Sequence, residues 1–294
     1  MLNIYYGRES INKEKFIFDN INKKTLLLVP DQFTLEAEQR AFSVLGVKGL
    51  MDLEIISPSR LGFRILAKVG GNKAINIDKY GRHMLLTKIL SNEKQNLEAF
   101  KGLEKMPAFI EMINNLISEM KQYNTSPDQL TEILAEVEDN FLLHRKLKDI
   151  QRIYKIYEDY IQYKYVDTED YVNLFISKLG KFEEIRDCDV WIWGFDYFTP
   201  KNLDLIRELM RHAISVNVVM TYDEGCRDEE VFDITGGMIN KLTLIAGEEN
   251  QGFTKNKIGA EYLVKSEKVR HQALADLEEE LFSLPFRESE ETEG

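Results

Sequence analysis

Leu2-Asn3-Ile4-Tyr5-Tyr6-Gly7-Arg8-Glu9-Ser10-Ile11-Asn12-Lys13-Glu14 is the stretch on which the fold turns. An apolar run over 2–6 leads into a polar loop and then into an amphipathic helical segment over about 13–22. A second apolar run, Thr25-Leu26-Leu27-Leu28-Val29-Pro30, follows directly. Strand, loop, helix and strand in so short a span make a βαβ unit, whose strands run parallel because the helix carries the chain back. Gly7, Asn12, Lys13 and Glu14 stand where a phosphate-binding loop has Gly, Gly, Lys and Ser/Thr.

Such a loop works through backbone N–H groups curled around phosphates, a lysine point charge and a hydroxyl on Mg²⁺. Gly7, Arg8, Asn12 and Lys13 are therefore the candidate nucleotide contacts, with Asn12 tolerated in place of glycine because Asn visits positive φ readily. Glu14 is the adverse change: it sets a carboxylate beside the phosphate position, and Glu9 adds another. The frame reads as the remnant of an ATP and Mg²⁺ site. A plain surface loop after a strand is the simpler alternative.

Outward from this unit the alternation continues. Helices are expected over 34–45, with Thr34 as cap, and over 58–69, with a strand over 52–57 between them. Three strands alternating with helices indicate an open parallel sheet. From Asp78 the character changes: apolar residues recur at three and four positions, as in Leu147, Ile150, Ile153, Tyr154 and Tyr157. Helices are expected over 78–90, 107–123, 127–138, 141–163 and 169–179, the last capped by Asp167 or Thr168, with no strand among them. The α/β pattern resumes with strands over 189–194 and 214–220 and a helix from Thr199-Pro200 to about 211. Further helices are expected over 231–246 and 272–284. The expected division is an α/β domain in two parts, 1–77 and 188–284, an inserted helical subdomain over 78–187, and a polar tail over 285–294 that reads as a truncation point.

The 294 residues carry a net charge of −12, which disfavours a polyanionic partner for the chain as a whole. Residues 1–100 hold 15 Lys+Arg against 11 Asp+Glu, leaving +4 there and −16 in the remainder. No apolar stretch approaches the roughly 20 residues of a membrane helix. Two cysteines, Cys188 and Cys226, are too few for a zinc or iron–sulfur site within this chain and fit a reducing cytoplasm. The histidines show no ligand spacing, and no hydrolytic triad or carboxylate pair emerges, so no catalytic residue and no metal ligand is assigned. Tyr154 and Tyr157 share a helical face with Ile150 and Ile161 and read as core, as does Phe33.

Three stretches carry a resemblance. They are Val29-Pro30-Asp31-Gln32-Phe33-Thr34-Leu35-Glu36-Ala37-Glu38, Ser57-Pro58-Ser59-Arg60-Leu61-Gly62-Phe63-Arg64-Ile65-Leu66 and Gly194-Phe195-Asp196-Tyr197-Phe198-Thr199-Pro200. Together they resemble the N-terminal part of the AddB family, the second subunit of the bacterial AddAB helicase–nuclease. The similarity includes Tyr165-Val166-Asp167-Thr168-Glu169-Asp170 and Leu277-Glu278-Glu279-Glu280-Leu281-Phe282. It implies a P-loop NTPase-like fold of the UvrD helicase type, with a parallel sheet flanked by helices and an all-helical insertion.

The resemblance also implies a role. AddB pairs with AddA, which supplies the helicase motor, and the pair resects DNA ends for recombinational repair. AddB's helicase-like region is not a motor and takes part, like RecC, in recognition of Chi. The family's nuclease domain, with its four-cysteine iron–sulfur cluster, lies beyond residue 294. UvrD-type motors end the equivalent of strand 189–194 in Asp-Glu-Phe-Gln to hold Mg²⁺ and polarise water; Trp193-Gly194-Phe195-Asp196 stands there instead. Hydrolysis is therefore expected to be lost. Related helicases touch single-stranded DNA after their second strand and at a Thr-Phe-His-like motif, which maps DNA contact onto Gln32, Thr34, Ser57, Arg60 and Arg64. Arg60 and Arg64 are one helical turn apart and can follow one phosphate track; a solvated helix face is the alternative. Three functions stay open: a non-motor DNA-binding and docking module, a nucleotide-binding or live P-loop ATPase, and a structural partner-docking domain.

Overall fold

The computed structural model describes residues 1–21, 23–46, 52–70, 74–137, 141–162, 164–226 and 228–263, with Leu277 and Phe282. Two compact units divide the chain: residues 1–68, 179–198 and 203–294 form one, and 69–178 with 199–202 the other. In chain order the strands are β1 (Leu2–Gly7), β2 (Thr25–Leu28), β3 (Leu53–Ile56), β4 (Ile75–Asn76), β5 (Tyr165–Val166), β6 (Asp189–Ile192), β7 (Ser215–Thr221) and β8 (Phe253–Lys257). The helices are α1 (Lys13–Asp19), α2 (Thr34–Leu45), α3 (Pro58–Val69), α4 (Lys79–Glu93) and α5 (Pro107–Gln122). They continue with α6 (Pro127–Glu136), α7 (Phe141–Ile161), α8 (Thr168–Lys178), α9 (Pro200–His212) and α10 (Asp233–Glu248).

The first unit is an α/β layer built on six parallel strands in the order β3-β2-β6-β7-β1-β8. β1 and β2 are parallel, as a βαβ unit requires, yet β6 and β7 stand between them. These later strands take the centre because they are nearly all apolar, Val190-Trp191-Ile192 and Val216 to Met220 being buried, and a strand covered on both faces needs such a run. α1 and α2 close one face, where Ile17, Phe18, Ala37 and Ala41 pack against Leu27 and Trp191. The edge strand β8 is not among the expected strands: Phe253-Thr254-Lys255-Asn256-Lys257 has no apolar run, and four of its five residues are exposed. Its pairing with β1, Leu2 opposite Phe253 to Tyr6 opposite Lys257, places it.

The second unit is helical, with Leu86, Leu90, Phe109, Ile113, Ile153, Tyr154 and Tyr157 in one core. It also holds a two-residue parallel ladder, β4 to β5, where no strand is expected; two residues are too few for period-two patterning to register. Asp167 is the cap of α8, its Oδ1 accepting from the backbone of Glu169 at 3.1 Å and Asp170 at 2.9 Å. α6 starts in a full capping box between Ser126 and Gln129. Thr34, expected as a cap, is instead the first residue of α2, and its hydroxyl donates to the Asp31 carbonyl. The expected helix over 272–284 lies outside the described residues apart from Leu277 and Phe282. No described helix is long and apolar enough to cross a membrane.

Candidate functional site

β1 delivers the loop after Gly7 to the C-terminal edge of the sheet, where its polar groups are taken up within the unit. The Ile11 amide donates to the Arg8 carbonyl at 3.0 Å, the Asn12 amide to the Tyr262 carbonyl at 2.7 Å, and the Lys13 amide to the Ile11 carbonyl at 3.0 Å. Lys13 is buried, and its Nζ donates to the Arg8 carbonyl at 2.9 Å and to Glu9 Oε2 at 3.2 Å. Asn12 caps α1, its side chain accepting from the Lys15 amide. The chain passes close at Gly7, where a Cβ would lie 3.0 Å from Ile11 Cγ1 and would press that side chain aside. Three amides that a phosphate-binding loop would turn toward its ligand thus donate to carbonyl oxygens.

Arg8 points the other way. It is buried, with Nε donating to Asp223 Oδ2 at 2.9 Å and Nη2 and Nη1 to the two oxygens of Asp228 at 2.5 and 3.1 Å. Its guanidinium also lies over the Phe232 ring, 5.4 Å from the centroid. Burial opposes the charge on both carboxylates. Hydrogen bonds from Lys257 and Arg8 to Asp223, and from Arg8 and Cys226 to Asp228, outweigh it and hold both carboxyls below their usual range.

A cavity of 480 Å³ opens beside the loop, walled by residues that follow β1, β2 and β6 and by Thr221 at the end of β7. Open parallel sheets take their ligands at this edge. The lining carries Glu9, Glu14, Glu36 and Asp196 against Lys13 and Arg40, so an anion entering it meets more negative than positive charge. Arg40 is already shared between Glu14 and Glu36. Burial pushes the Glu14 carboxyl up, and Arg40 offsets this only in part. Behind β6 the wall is Trp193 and Gly194, the latter at φ +83° with Pro30 Cδ 3.2 Å from where a Cβ would sit. Close contact with Pro30 and a left-handed turn hold this position to glycine. Among the described residues no group of His, Cys, Asp and Glu is placed to hold a metal ion.

The residues expected to touch DNA share one region but differ in access. Ser59 Oγ donates to Asp31 Oδ1 at 2.5 Å, joining the segment after β2 to the start of α3. Gln32 and Arg60 are exposed there, and Arg60 makes no ion pair among the described residues. Thr34 and Ser57 are buried, with hydroxyls bonded to the Asp31 carbonyl and to Ser59. Arg64 is taken up by partners of its own: it pairs with Glu54 and Glu184 and lies over Phe182 at 5.3 Å. Phe33, expected in the core, is 38% exposed because it sits in a 3₁₀ turn at the cavity mouth. Phe63, one turn from Arg60 and 70% exposed, is not among the expected contacts; its spacing from Arg60 is the signal that could point to it. Tyr154 and Tyr157 are core residues, as expected.

With this geometry in hand the chain can be placed among known proteins. The family described as "ADDB, N-terminal" matches residues 4–278. Among similar sequences, the B subunit of the ATP-dependent helicase/deoxyribonuclease of Alkaliphilus oremlandii is 32% identical over 293 residues, covering 96% of this chain and 25% of its own length. That of Alkaliphilus metalliredigens is 32% identical over 97% of the chain and 24% of its length, and that of Thermoanaerobacter sp. 29% identical over 96% and 25%. The chain spans about a quarter of the length of these relatives. Matched along nearly all its length, this chain belongs to the AddB N-terminal family.

Proposed function

We propose that this chain is the helicase-like, non-motor module of a cytoplasmic AddAB-type ATP-dependent helicase/exonuclease, contacting single-stranded DNA at duplex ends and docking an AddA-type partner during recombinational repair. The relatives are named as one subunit of an enzyme, which speaks of a complex with at least one other chain. A P-loop NTPase-like ancestry of the UvrD type is supported by the all-parallel sheet and by the cavity at the C-terminal edge, beside Lys13. The observation that carries the non-motor reading is the closure of the loop by its own hydrogen bonds, Asn12 amide to Tyr262 carbonyl above all. With four carboxylates around the same cavity, the residues do not fit a triphosphate and its Mg²⁺. DNA contact is assigned to Gln32 and Arg60, with Phe33 and Phe63 as exposed rings beside them.

The test has two parts. ATP turnover and calorimetric ATP·Mg²⁺ binding by the 294-residue chain should both be absent, while single-strand binding should be measurable and weaken with salt. Turnover that disappears in Lys13→Ala would overturn the reading. A second reading, nucleotide binding without hydrolysis, is favoured by the size of the cavity. Trp193 lines that cavity, so an ATP-dependent change in its fluorescence, lost in Trp193→Phe, would decide for it.

A further inference from the structure

The DNA contacts proposed above lie on the sheet unit. A second charged feature lies on the helical unit and owes nothing to those motifs. Between residues 144 and 155, α7 carries Arg145, Lys146, Lys148, Arg152 and Lys155 against one acid, Asp149. Asp149 lines the groove beside them but forms no ion pair with any of them among the described residues. It is buried, and its carboxylate accepts from the backbone amides of Glu98, Ala99 and Phe100 at 2.8–3.0 Å. Lys148, Arg152 and Lys155 recur at four and three residues, so they share one face of the helix. They border a groove of 400 Å³ whose lining also includes the amide side chains of Asn96 and Gln151 and, at one end, Asp159.

Helix energetics do not account for this distribution. The macrodipole favours cations near a helix's C-terminus and anions near its N-terminus. In α7 Arg145, Lys146 and Lys148 lie in the N-terminal half and Arg152 and Lys155 just past the middle, while the acids Glu158 and Asp159 fall nearest the C-terminal end. Local ion pairing accounts for part only. Lys148 meets Glu98 at 2.7 Å and Arg152 meets Glu93 at 2.6 Å, but both cations are about half exposed. Lys155 makes no ion pair among the described residues and is exposed. Solvent-exposed pairs of this kind are held weakly and exchange readily for a stronger anion.

We infer that the Lys148–Arg152–Lys155 face of α7 is a second phosphate-backbone contact, through which the helical unit holds nucleic acid independently of Arg60. The three residues span seven positions, about 10 Å of helix, which matches two to three successive phosphates on one strand. Arg152 brings a planar fork, and Lys148 and Lys155 act as point charges. Phosphate contacts position a strand without reading its sequence, so no base preference is expected here. The inference rests on the reading that the chain touches DNA.

The experiment is salt-dependent binding of the 294-residue chain to a fluorescent oligonucleotide, single-stranded and duplex in separate arms. Arg145 is left intact, because it also donates to the Glu98 carbonyl and so holds the local backbone. Lys148→Ala/Arg152→Ala/Lys155→Ala should weaken binding at least tenfold at low salt. The slope of log K against log salt should become shallower by about 2, three contacts at roughly 0.7 each. Glu93→Gln/Glu98→Gln, which frees the same cations, should tighten binding, an effect that a merely structural role would not produce. An unchanged slope in the triple variant, with its circular dichroism as wild type, overturns the inference. If Arg60→Ala weakens binding and the triple variant does not, the α7 contact fails while the sheet-unit contact stands. If the wild type binds neither arm, both fail. The arm with the larger slope change identifies the form of nucleic acid held.

Discussion

Arg8 grips Asp228 with both terminal nitrogens, Nη2 to Oδ1 at 2.5 Å and Nη1 to Oδ2 at 3.1 Å, and both side chains are buried. A residue expected at the phosphates therefore ties the end of β1 to the segment after β7. Arg8→Ala should destabilise the sheet unit by about 3–5 kcal/mol, since it leaves the Asp228 carboxylate buried without its counter-charge and Asp223 with Lys257 alone. The sign with pH follows from the depressed carboxyls of Asp223 and Asp228. Their contribution is present above the ordinary carboxylate pKa of 3.8 and is lost as pH falls through the lower folded values. Urea titrations at pH 7 and pH 3 should show the gap between wild type and variant narrowing in acid. An undiminished gap at the lower pH would argue against this account.

Glu14 behaves in the opposite sense. Its folded carboxyl is raised above the ordinary 4.5, so the folded state favours the proton and loses stability as pH climbs through that range. Glu14→Gln removes this dependence at the expense of the pair with Arg40, which keeps Glu36. The net change at pH 7 is expected within about 1 kcal/mol. Scanning calorimetry from pH 4 to pH 7 should show the variant gaining on wild type as pH rises; the reverse trend would mean that the Arg40 pair dominates.

Arg60 and Arg64, one turn apart on α3, should separate cleanly. Arg60→Ala is expected to lower single-strand affinity several-fold and to reduce the salt slope by about 0.7, with little change in melting temperature. Arg64→Ala removes the Glu54 and Glu184 pairs and the contact with Phe182, and should cost about 0.5–1 kcal/mol of stability with little effect on binding. Anisotropy and thermal melts on the two variants distinguish these outcomes. Equal loss of affinity in both would restore the shared phosphate track.

In the helical unit, Lys121 is buried against Asp167 at 2.7 Å, with Asp170 and Glu158 also in reach. Burial works against the Lys121 charge, yet the surrounding carboxylates, Asp167 first, raise its pKa overall. Lys121→Met should cost about 3–5 kcal/mol by stranding the Asp167 carboxylate. The loss should register as faster amide exchange in α5, α7 and α8, the elements the cluster joins. Exchange rates as in wild type would show that Asp167 takes up a proton at little cost.

Most of the fold is legible in the chain because its signals are local. Val190-Trp191-Ile192 is apolar throughout since β6 is covered on both faces, and Leu147, Ile150, Ile153, Tyr154 and Tyr157 repeat at helical spacing since α7 buries one side. β8 escapes such reading because an edge strand with most of its side chains in solvent needs no apolar run. Thr34 has the chemistry of a cap, but the 3₁₀ turn over Asp31–Phe33 shifts where α2 begins. At the site, the types and order of residues are readable, but their directions are not.

By itself the sequence determined the alternation of strand and helix, the helical stretch within it and the family to which the three motifs point, all properties of neighbouring residues. The tertiary structure alone decided what the loop after β1 is bonded to. The partners of Arg8 lie 215 and 220 positions away, and Asn12 gives its amide to the carbonyl of Tyr262. No local pattern encodes such pairings. They follow from a sheet order that sets β7 and β8 on either side of β1 and brings the segments after all three to one edge.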